Sequence, residues 1–488
     1  MALLVLTLAM SSVYSQDNTE KTKMIIEVIR HGARVPIYAA GNADWVKGLQ
    51  SGDLTDVGKR QHYLLGKELV NKFKDFFGQK LAADEYYVRS SGFQRTVASA
   101  QSHLMGIWDH FPLTQLDFPN GDIRTVPPVV SQNTLNLNFR TPLPKGYIPD
   151  PIHSDTLPDD ELLYFIGGNV CPIGKDLAKS SIIKIQNEVD RDPEFQKFVE
   201  QVQEVYGLPK LSADKSRYDA CVELADFAYQ DARVNPNPKI PTTHELYGRL
   251  TRCYQINIMG KFENPLVRKL IPTPLVKEIV GKLKHKSTAT TNNPLKFQVY
   301  SGHDSTIAPI LAQLGIVDLD CFLKDLKEVK FSETCTNFPE VASNLIFELV
   351  TVDNVDYIQT YYNFEPIKVC KEDNKAQKYR CRVAEYEETW NAKLSSNWRK
   401  ECGVANNLVP SKPATKTSAY KTFGWILVFV AGLLFISLAC LFVTLVTLPK
   451  MNNDDAKLYT TGIDDGQEST LEFAKSGSSV RTLMSDRY

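Results

Sequence analysis

The sequence predicts an α/β domain with a mostly parallel central sheet flanked by helices, a smaller helical cap subdomain, and one C-terminal transmembrane helix. Three observations carry this prediction. The short runs Met24–Ile29, Tyr86–Val88 and Phe297–Tyr300 are mainly apolar or aromatic, as strands buried on both faces are. Helix-periodic segments lie between and after them, and strand–helix alternation argues for parallel pairing. Residues 423–448 carry no charge; that run of about 26 residues is roughly 39 Å long as a helix, enough to cross a bilayer.

The elements follow in order. Residues 1–15 read as a signal peptide: an apolar run from Ala2 to Met10, then small or aliphatic residues at Val13 and Ser15 before the cut. Residues 16–409 are expected to form one lumenal or extracellular catalytic region. After the first strand, "LTDVGKRQHYLLGKELVNKFKDFF" predicts a helix, with Leu65, Leu69, Phe73 and Phe76 on one face and Thr55 as N-cap. After the second strand, Val97, Ala100, Leu104 and Ile107 share a helical face. Ser212 to Asn264 is helical and aromatic in pattern and predicts the cap. After the third strand, Ile307, Ile310, Leu311 and Leu314 predict a helix that Gly315 ends. Leu345–Val352 and Tyr357–Tyr362 flank Asp353 and Asn354, which reads as a hairpin. A polar stalk (410–422), the span (423–448) and a polar cytoplasmic tail (449–488) complete a type I topology.

Composition narrows the function. A formal net charge of −1 leaves no basic footprint for nucleic acid. Of nine cysteines, Cys440 lies in the span and eight lie between Cys171 and Cys402. An even number in an oxidising compartment predicts disulfides, although spacing does not choose among the roughly 105 pairings. No CxxC pair or Cys/His cluster has metal-site spacing, so no metal and no cofactor is expected.

Each predicted strand runs into a polar cluster. Arg30, His31 and Arg34 follow the first, Arg95 the second, and His303 and Asp304 the third. In α/β sheets, ligands bind beyond the carboxyl ends of the strands. A phosphate monoester handled without a metal needs cationic donors for its non-bridging oxygens, and guanidinium forks suit two oxygens at once. It needs a nucleophile opposite the leaving group, which neutral imidazole supplies. It also needs an acid for the departing alkoxide. Arg30, Arg34 and Arg95 are the candidate clamp, His31 the nucleophile, Asp304 the acid and His303 a further phosphate ligand. Gly32 lets the backbone approach closely. The remaining six histidines are expected to do no catalysis, with His62 and His153 the two placed to line the pocket.

"RHGARVP" resembles the RHGxRxP motif of the histidine acid phosphatases, and "SGHDSTIAP" resembles their His-Asp signature. "FQRT" is similar to the segment carrying their third phosphate arginine. "LTDVGKRQHYLLGKEL" is similar to their first long helix, matching at Leu54, Thr55, Gly58, Gln61 and Gly66. The resemblance runs from Ile25 to Tyr362 and implies an α/β domain with a smaller α domain, no metal, and a phosphohistidine intermediate on the way to hydrolysis of small phosphomonoesters. Signal, stalk, span and tail resemble the membrane-anchored lysosomal members. That implies a lysosome, acidic vacuole or cell surface as location, and it admits a homodimer. The resemblance also implies disulfides Cys171–Cys402 and Cys221–Cys321. A different class of reading is a receptor or adhesion protein on an inactive phosphatase fold; damage at His31, Arg34 or Asp304 would favour it, and all three are intact.

Overall fold

The computed structural model describes residues 20–404, apart from stretches within 39–47, 114–148 and 328–336 and at 165–169, 213–214, 290–292 and 372–378. The signal peptide, stalk, span and tail expected at the two ends lie outside the described residues.

Strand β1 (Lys21–Arg30) is buried from Met24 onward. Helix α1 (Asp56–Lys72) begins at the expected cap: the Thr55 hydroxyl accepts from the Gly58 N–H at 3.1 Å. The helix ends at Lys72, short of the pattern, and Phe73 and Phe77 anchor the following turns in the core. Strand β2 (Tyr86–Ser90) leads into α2 (Gln94–Trp108). These two helices touch backbone to backbone. A Cβ on Gly66 would lie 2.2 Å from the His103 carbonyl oxygen, and one on Gly106 2.0 Å from that of Tyr63.

The cap is larger than Ser212–Asn264. It comprises α3 (Pro172–Val189), α4 (Pro193–Tyr206), α5 (Arg217–Val234), α6 (Glu245–Met259) and α7 (Pro265–Leu270). Helix α8 (Thr273–Thr288) returns the chain to β3 (Phe297–Gly302) and α9 (Asp304–Leu314), which stops at Gly315 in the left-handed conformation, φ 74°. Helix α10 (Leu319–Lys327) precedes β4 (Asn344–Val352), β5 (Val355–Tyr362), β6 (Glu365–Ile367) and β7 (Cys381–Arg382). Helices α11 (Val383–Lys393) and α12 (Trp398–Glu401) end the described chain.

The sheet order is β2-β3-β1-β4-β5-β6, with β7 also paired to β5. It is mixed, which corrects the expectation of a mostly parallel sheet. Pairings β2–β3 and β3–β1 are parallel; β1–β4, β4–β5, β5–β6 and β5–β7 are antiparallel. The expected hairpin docks antiparallel on β1 through β4. Asp353 and Asn354 both have positive φ, 50° and 62°, and a two-residue turn of that kind joins only antiparallel neighbours. The C-terminal strands therefore add an antiparallel half to a parallel one.

Strand β1 shows why the centre is stable. Met24, Ile26 and Val28 enter a core shared with the cap, α8, α9 and α11, while Ile25 and Ile29 enter a second core under α1 and α2. Each such buried side chain contributes roughly 1.5–3 kcal/mol.

Four disulfides join Cys171–Cys402, Cys221–Cys253, Cys321–Cys335 and Cys370–Cys381. The first pairing is as expected. The expected Cys221–Cys321 bond is not formed. Neighbouring helices α5 and α6 bring Cys221 and Cys253 to a Cα separation of 5.8 Å, and Cys321 meets Cys335 at 5.5 Å, both within bonding range.

Candidate active site

Parallel register gathers the three polar clusters. Arg30 pairs with Gly302 across β1–β3, and Ser90 with Ser301 across β2–β3, so all three chains leave the sheet at one edge. The His31 N–H then donates to the Gly302 carbonyl at 3.0 Å. The loop after β1 is held from α1 and α2: Gln61 accepts from the Ala33 N–H at 2.9 Å, Ser99 accepts from the Gly32 N–H at 3.2 Å, and Thr55 donates to the Ala33 carbonyl at 2.7 Å. Gly32 and Gly58 allow this contact. A Cβ on Gly32 would meet the Gly58 carbonyl oxygen at 2.5 Å.

His31 is buried. Its Nδ1 lies 2.9 Å from the Gly32 carbonyl oxygen. A carbonyl only accepts, so Nδ1 carries the proton and Nε2 keeps its lone pair. Burial first, and then Arg95, His303, Arg30 and Arg34, push its pKa well below the ordinary value, so the ring is neutral. His303 stands 5.5 Å away, ring centre to ring centre, with Nε2 2.9 Å from the Ser91 hydroxyl. Burial and Arg95 depress its pKa strongly too. It caps α9, its own N–H donating to the Thr306 hydroxyl at 3.0 Å.

Asp304 follows at the first turn of α9. Its Oδ2 pairs with Arg30 Nη2 at 2.8 Å and accepts from the Tyr254 hydroxyl at 2.5 Å; its Oδ1 accepts from the Ser305 N–H at 2.7 Å. Burial alone would raise its pKa, but Arg30, the Tyr254 hydrogen bond, His303 and Arg34 outweigh burial and lower it. The free site therefore holds a carboxylate.

Arg30 is fully enclosed. Tyr229, Tyr254 and Phe338 surround its guanidinium with ring centres 5.6–5.7 Å away. It donates to the Pro339 carbonyl at 2.5 Å and to the Tyr254 hydroxyl at 2.8 Å. Burial opposes its charge, yet Asp304 and the two tyrosines more than compensate and its pKa rises. Arg34 is gripped by Asp226 of α5, Nη2 to Oδ1 at 2.6 Å and Nη1 to Oδ2 at 3.3 Å. Its backbone N–H donates to Gln230 of the same helix at 3.1 Å. Arg95, on the first turn of α2, lies 4.3 Å over the Phe93 ring.

All six residues singled out in the sequence thus converge. The cap adds four partners that were not foreseen, Asp226, Tyr229, Gln230 and Tyr254; Ser91, Ser99, Phe338 and Pro339 were not foreseen either. Asp226, Tyr229 and Gln230 sit at i, i+3 and i+4 of α5 and are all buried, a polar stripe on an inward face that was a usable signal. Tyr254 carried none beyond its helix.

Of the two histidines considered near the pocket, His153 lies elsewhere and His62 sits behind the pocket, against the Arg30 backbone. His153 runs beside β2 and stacks on Tyr87 at 4.6 Å. His62 is buried with His103, ring centres 6.2 Å apart, and His103 Nε2 lies 2.8 Å from Glu27 of β1. Among the described residues, no group of three or more His, Cys, Asp or Glu side chains is arranged to hold a metal ion.

The family model described as the histidine phosphatase superfamily, branch 2, matches residues 21–363. Lysosomal acid phosphatase of Xenopus laevis is 24% identical over 90% of this chain and 90% of its own. Lysosomal acid phosphatase of Homo sapiens is 25% identical over 83% of this chain and 86% of its own. Prostatic acid phosphatase of Bos taurus is 22% identical over 80% of this chain and 89% of its own. Among solved structures, the apo phytase of Hafnia alvei superposes with a TM-score of 0.54 at 15% identity, covering 78% of this chain and 98% of its own. At that identity the likeness establishes the fold.

Proposed function

The chain belongs to branch 2 of the histidine phosphatase superfamily, and from that membership we propose an acid phosphatase that hydrolyses small phosphate monoesters through a phosphohistidine on His31. Arg34, Arg95, Arg30 and His303 bind the non-bridging oxygens. His31 Nε2 attacks phosphorus, the P–O bond to the alcohol breaks, and Asp304 gives the leaving oxygen a proton. Water then attacks the phosphohistidine, Asp304 takes its proton, and inorganic phosphate leaves with His31 restored. The arginine clamp stabilises charge that spreads over the phosphoryl oxygens in each transition state.

The observation that carries the reading is the His31 ring: neutral, with Nδ1–H fixed on the Gly32 carbonyl and Nε2 free for attack among three arginines. Asp304 sets the acid requirement. Arg30 and Tyr254 hold it ionised in the free site, so its proton arrives when substrate charge offsets the arginines, or with a monoanionic ester. Both favour low pH.

Membrane anchoring belongs to the same proposal. The charge-free run at 423–448 and the cleavable leader support a type I protein. The lysosomal relatives support an acidic compartment. A panel of phosphomonoesters at pH 5 with EDTA tests the activity. Turnover that survives chelation fits the proposal; loss restored by a divalent ion sinks it.

A further inference from the structure

Tyr254 touches the group assigned as the general acid, and no sequence motif marks it. Resting on the phosphatase reading, we propose that Tyr254 is a positioning residue: its hydroxyl pins Asp304 Oδ2, leaves Oδ1 to carry the transferable proton, and sets the upper pH limit of turnover. Its ring is fixed by stacking on Tyr229, centres 5.3 Å apart at 19°. Its oxygen accepts from Arg30 and donates to Asp304. With Arg30 also on Oδ2, two donors occupy that oxygen; Oδ1 accepts only the Ser305 N–H and keeps a lone pair for the incoming proton. Burial raises the Tyr254 pKa far above its ordinary value, so the phenol stays protonated and does not itself supply the proton. The charged and titratable groups facing Asp304 are Arg30 and Arg34 from β1 and its loop, His303 beside it, Tyr254 of α6, and Lys261 just beyond α6. Among these, Tyr254 is the neutral donor, so its removal changes a hydrogen bond and no charge.

The test is Tyr254→Phe in the detergent-solubilised full chain, with kcat measured against pH on an alkyl phosphate and on p-nitrophenyl phosphate. Loss of one donor to the carboxylate moves the alkaline limb of kcat up by about half a pH unit or more. KM stays level, and the alkyl ester loses more than the aryl ester. In an Asp304→Asn background the same change does nothing further. Should the variant fail to fold, 3-fluorotyrosine at position 254, a stronger donor, moves the limb down. An unmoved limb with an active parent overturns the proposal, whereas an inactive parent overturns the phosphatase reading instead.

A second inference rests on a cavity at the amino-terminal ends of β1 and β3, the opposite edge of the sheet from the clamp. It has a volume of about 990 Å³ and is lined by eight basic and four acidic side chains, in a chain whose net charge is −1. The acids are largely engaged. Glu20 holds Arg380, Glu85 holds Lys296, and Glu348 accepts from the Thr22 and Tyr361 hydroxyls. Among the described residues Lys21, Lys72, Lys74, Lys80 and Lys286 form no salt bridge, although Glu85 lies near Lys286, Lys286 donates to the Asn293 carbonyl and Lys72 lies over the Tyr361 ring. Burial, with Lys296 and Lys23 nearby, lowers the Lys286 pKa, so a bound anion relieves it. The geometry points to a binding site for a small molecule bearing several phosphate or sulfate groups, since lysines act as mobile point charges and one carboxylate would leave most of them unmatched.

The probe is myo-inositol hexakissulfate, titrated calorimetrically into the full chain with the active site filled by inorganic phosphate, at roughly physiological ionic strength. One equivalent binds, and Lys72→Glu with Lys286→Glu weakens it about tenfold or more while hydrolysis is unchanged. Tripolyphosphate and a heparin-derived oligosaccharide then separate phosphate from sulfate sources. Binding that disappears at this ionic strength, or that ignores both lysines, overturns the site.

Discussion

The sheet and the cap contribute to one site in different ways. The sheet edge delivers Arg30, His31, Arg34, His303 and Asp304 on chain segments that leave adjacent strands. The cap delivers Asp226, Gln230, Tyr229 and Tyr254, which touch those residues and aim them. In the proposed mechanism the sheet supplies the groups that react; the cap supplies buried partners that hold them. Chemistry resides in short motifs because strand ends are local, whereas orientation comes from helices nearly 200 residues away along the chain.

Substitutions on the two sides should therefore differ in kind. His31→Ala removes the proposed nucleophile, and turnover should fall by at least about 10³-fold with folding retained; steady-state rates and a melting curve check it. Asp304→Asn should slow alkyl phosphates by about 10²-fold while sparing p-nitrophenyl phosphate, whose leaving group needs little help. An equal loss on both esters would remove Asp304 from the role. On the cap side, Asp226→Asn removes the charge that grips the Arg34 guanidinium, which keeps its bond to the Val35 carbonyl, and kcat/KM should drop about 10- to 100-fold, chiefly through KM. A loss confined to kcat would instead put Asp226 among the reacting groups.

The pH dependence follows from the same division. His31 is neutral because its pKa is depressed, so attack persists into acid. Asp304 is ionised in the free site, so its proton comes in with the monoanionic ester, a form lost as pH rises. The profile of kcat/KM should peak below about pH 6 and fall steeply above it. Stability runs the other way. His62 is held neutral, its pKa lowered to about 3 by burial and by His103. A histidine that resists protonation only when folded favours unfolding once pH drops below its unfolded value of about 6.5. At pH 5 this one group costs about 2 kcal/mol relative to neutral pH. Melting temperature should fall on acidification, and His62→Gln should flatten that fall. Identical slopes for both proteins would refute the assignment.

The sequence carried the motifs to which the proposal assigns the reaction, and most of the parallel half. Periodicity located α1, α2 and α9, Thr55 and Gly315 marked two of their ends, and Asp353-Asn354 marked the hairpin. Sheet class was missed because a hairpin signal is local, while its pairing with β1 is set across more than 300 residues. Disulfide partners were half right for a related reason. Cys221 pairs with Cys253 through helix packing, which no spacing rule encodes. The cap partners stayed hidden because, although the Asp226, Tyr229 and Gln230 stripe is visible in sequence, which arginine it faces is set by tertiary packing.

The central claim is a covalent phosphate on His31. Rapid quenching of the enzyme with an isotopically labelled phosphomonoester at pH 5 tests it directly. The account predicts an adduct that is labile to acid, stable to base and mapped by peptide sequencing to His31. An acid-stable phosphoserine, or a burst of alcohol with no protein-bound phosphate, would contradict it.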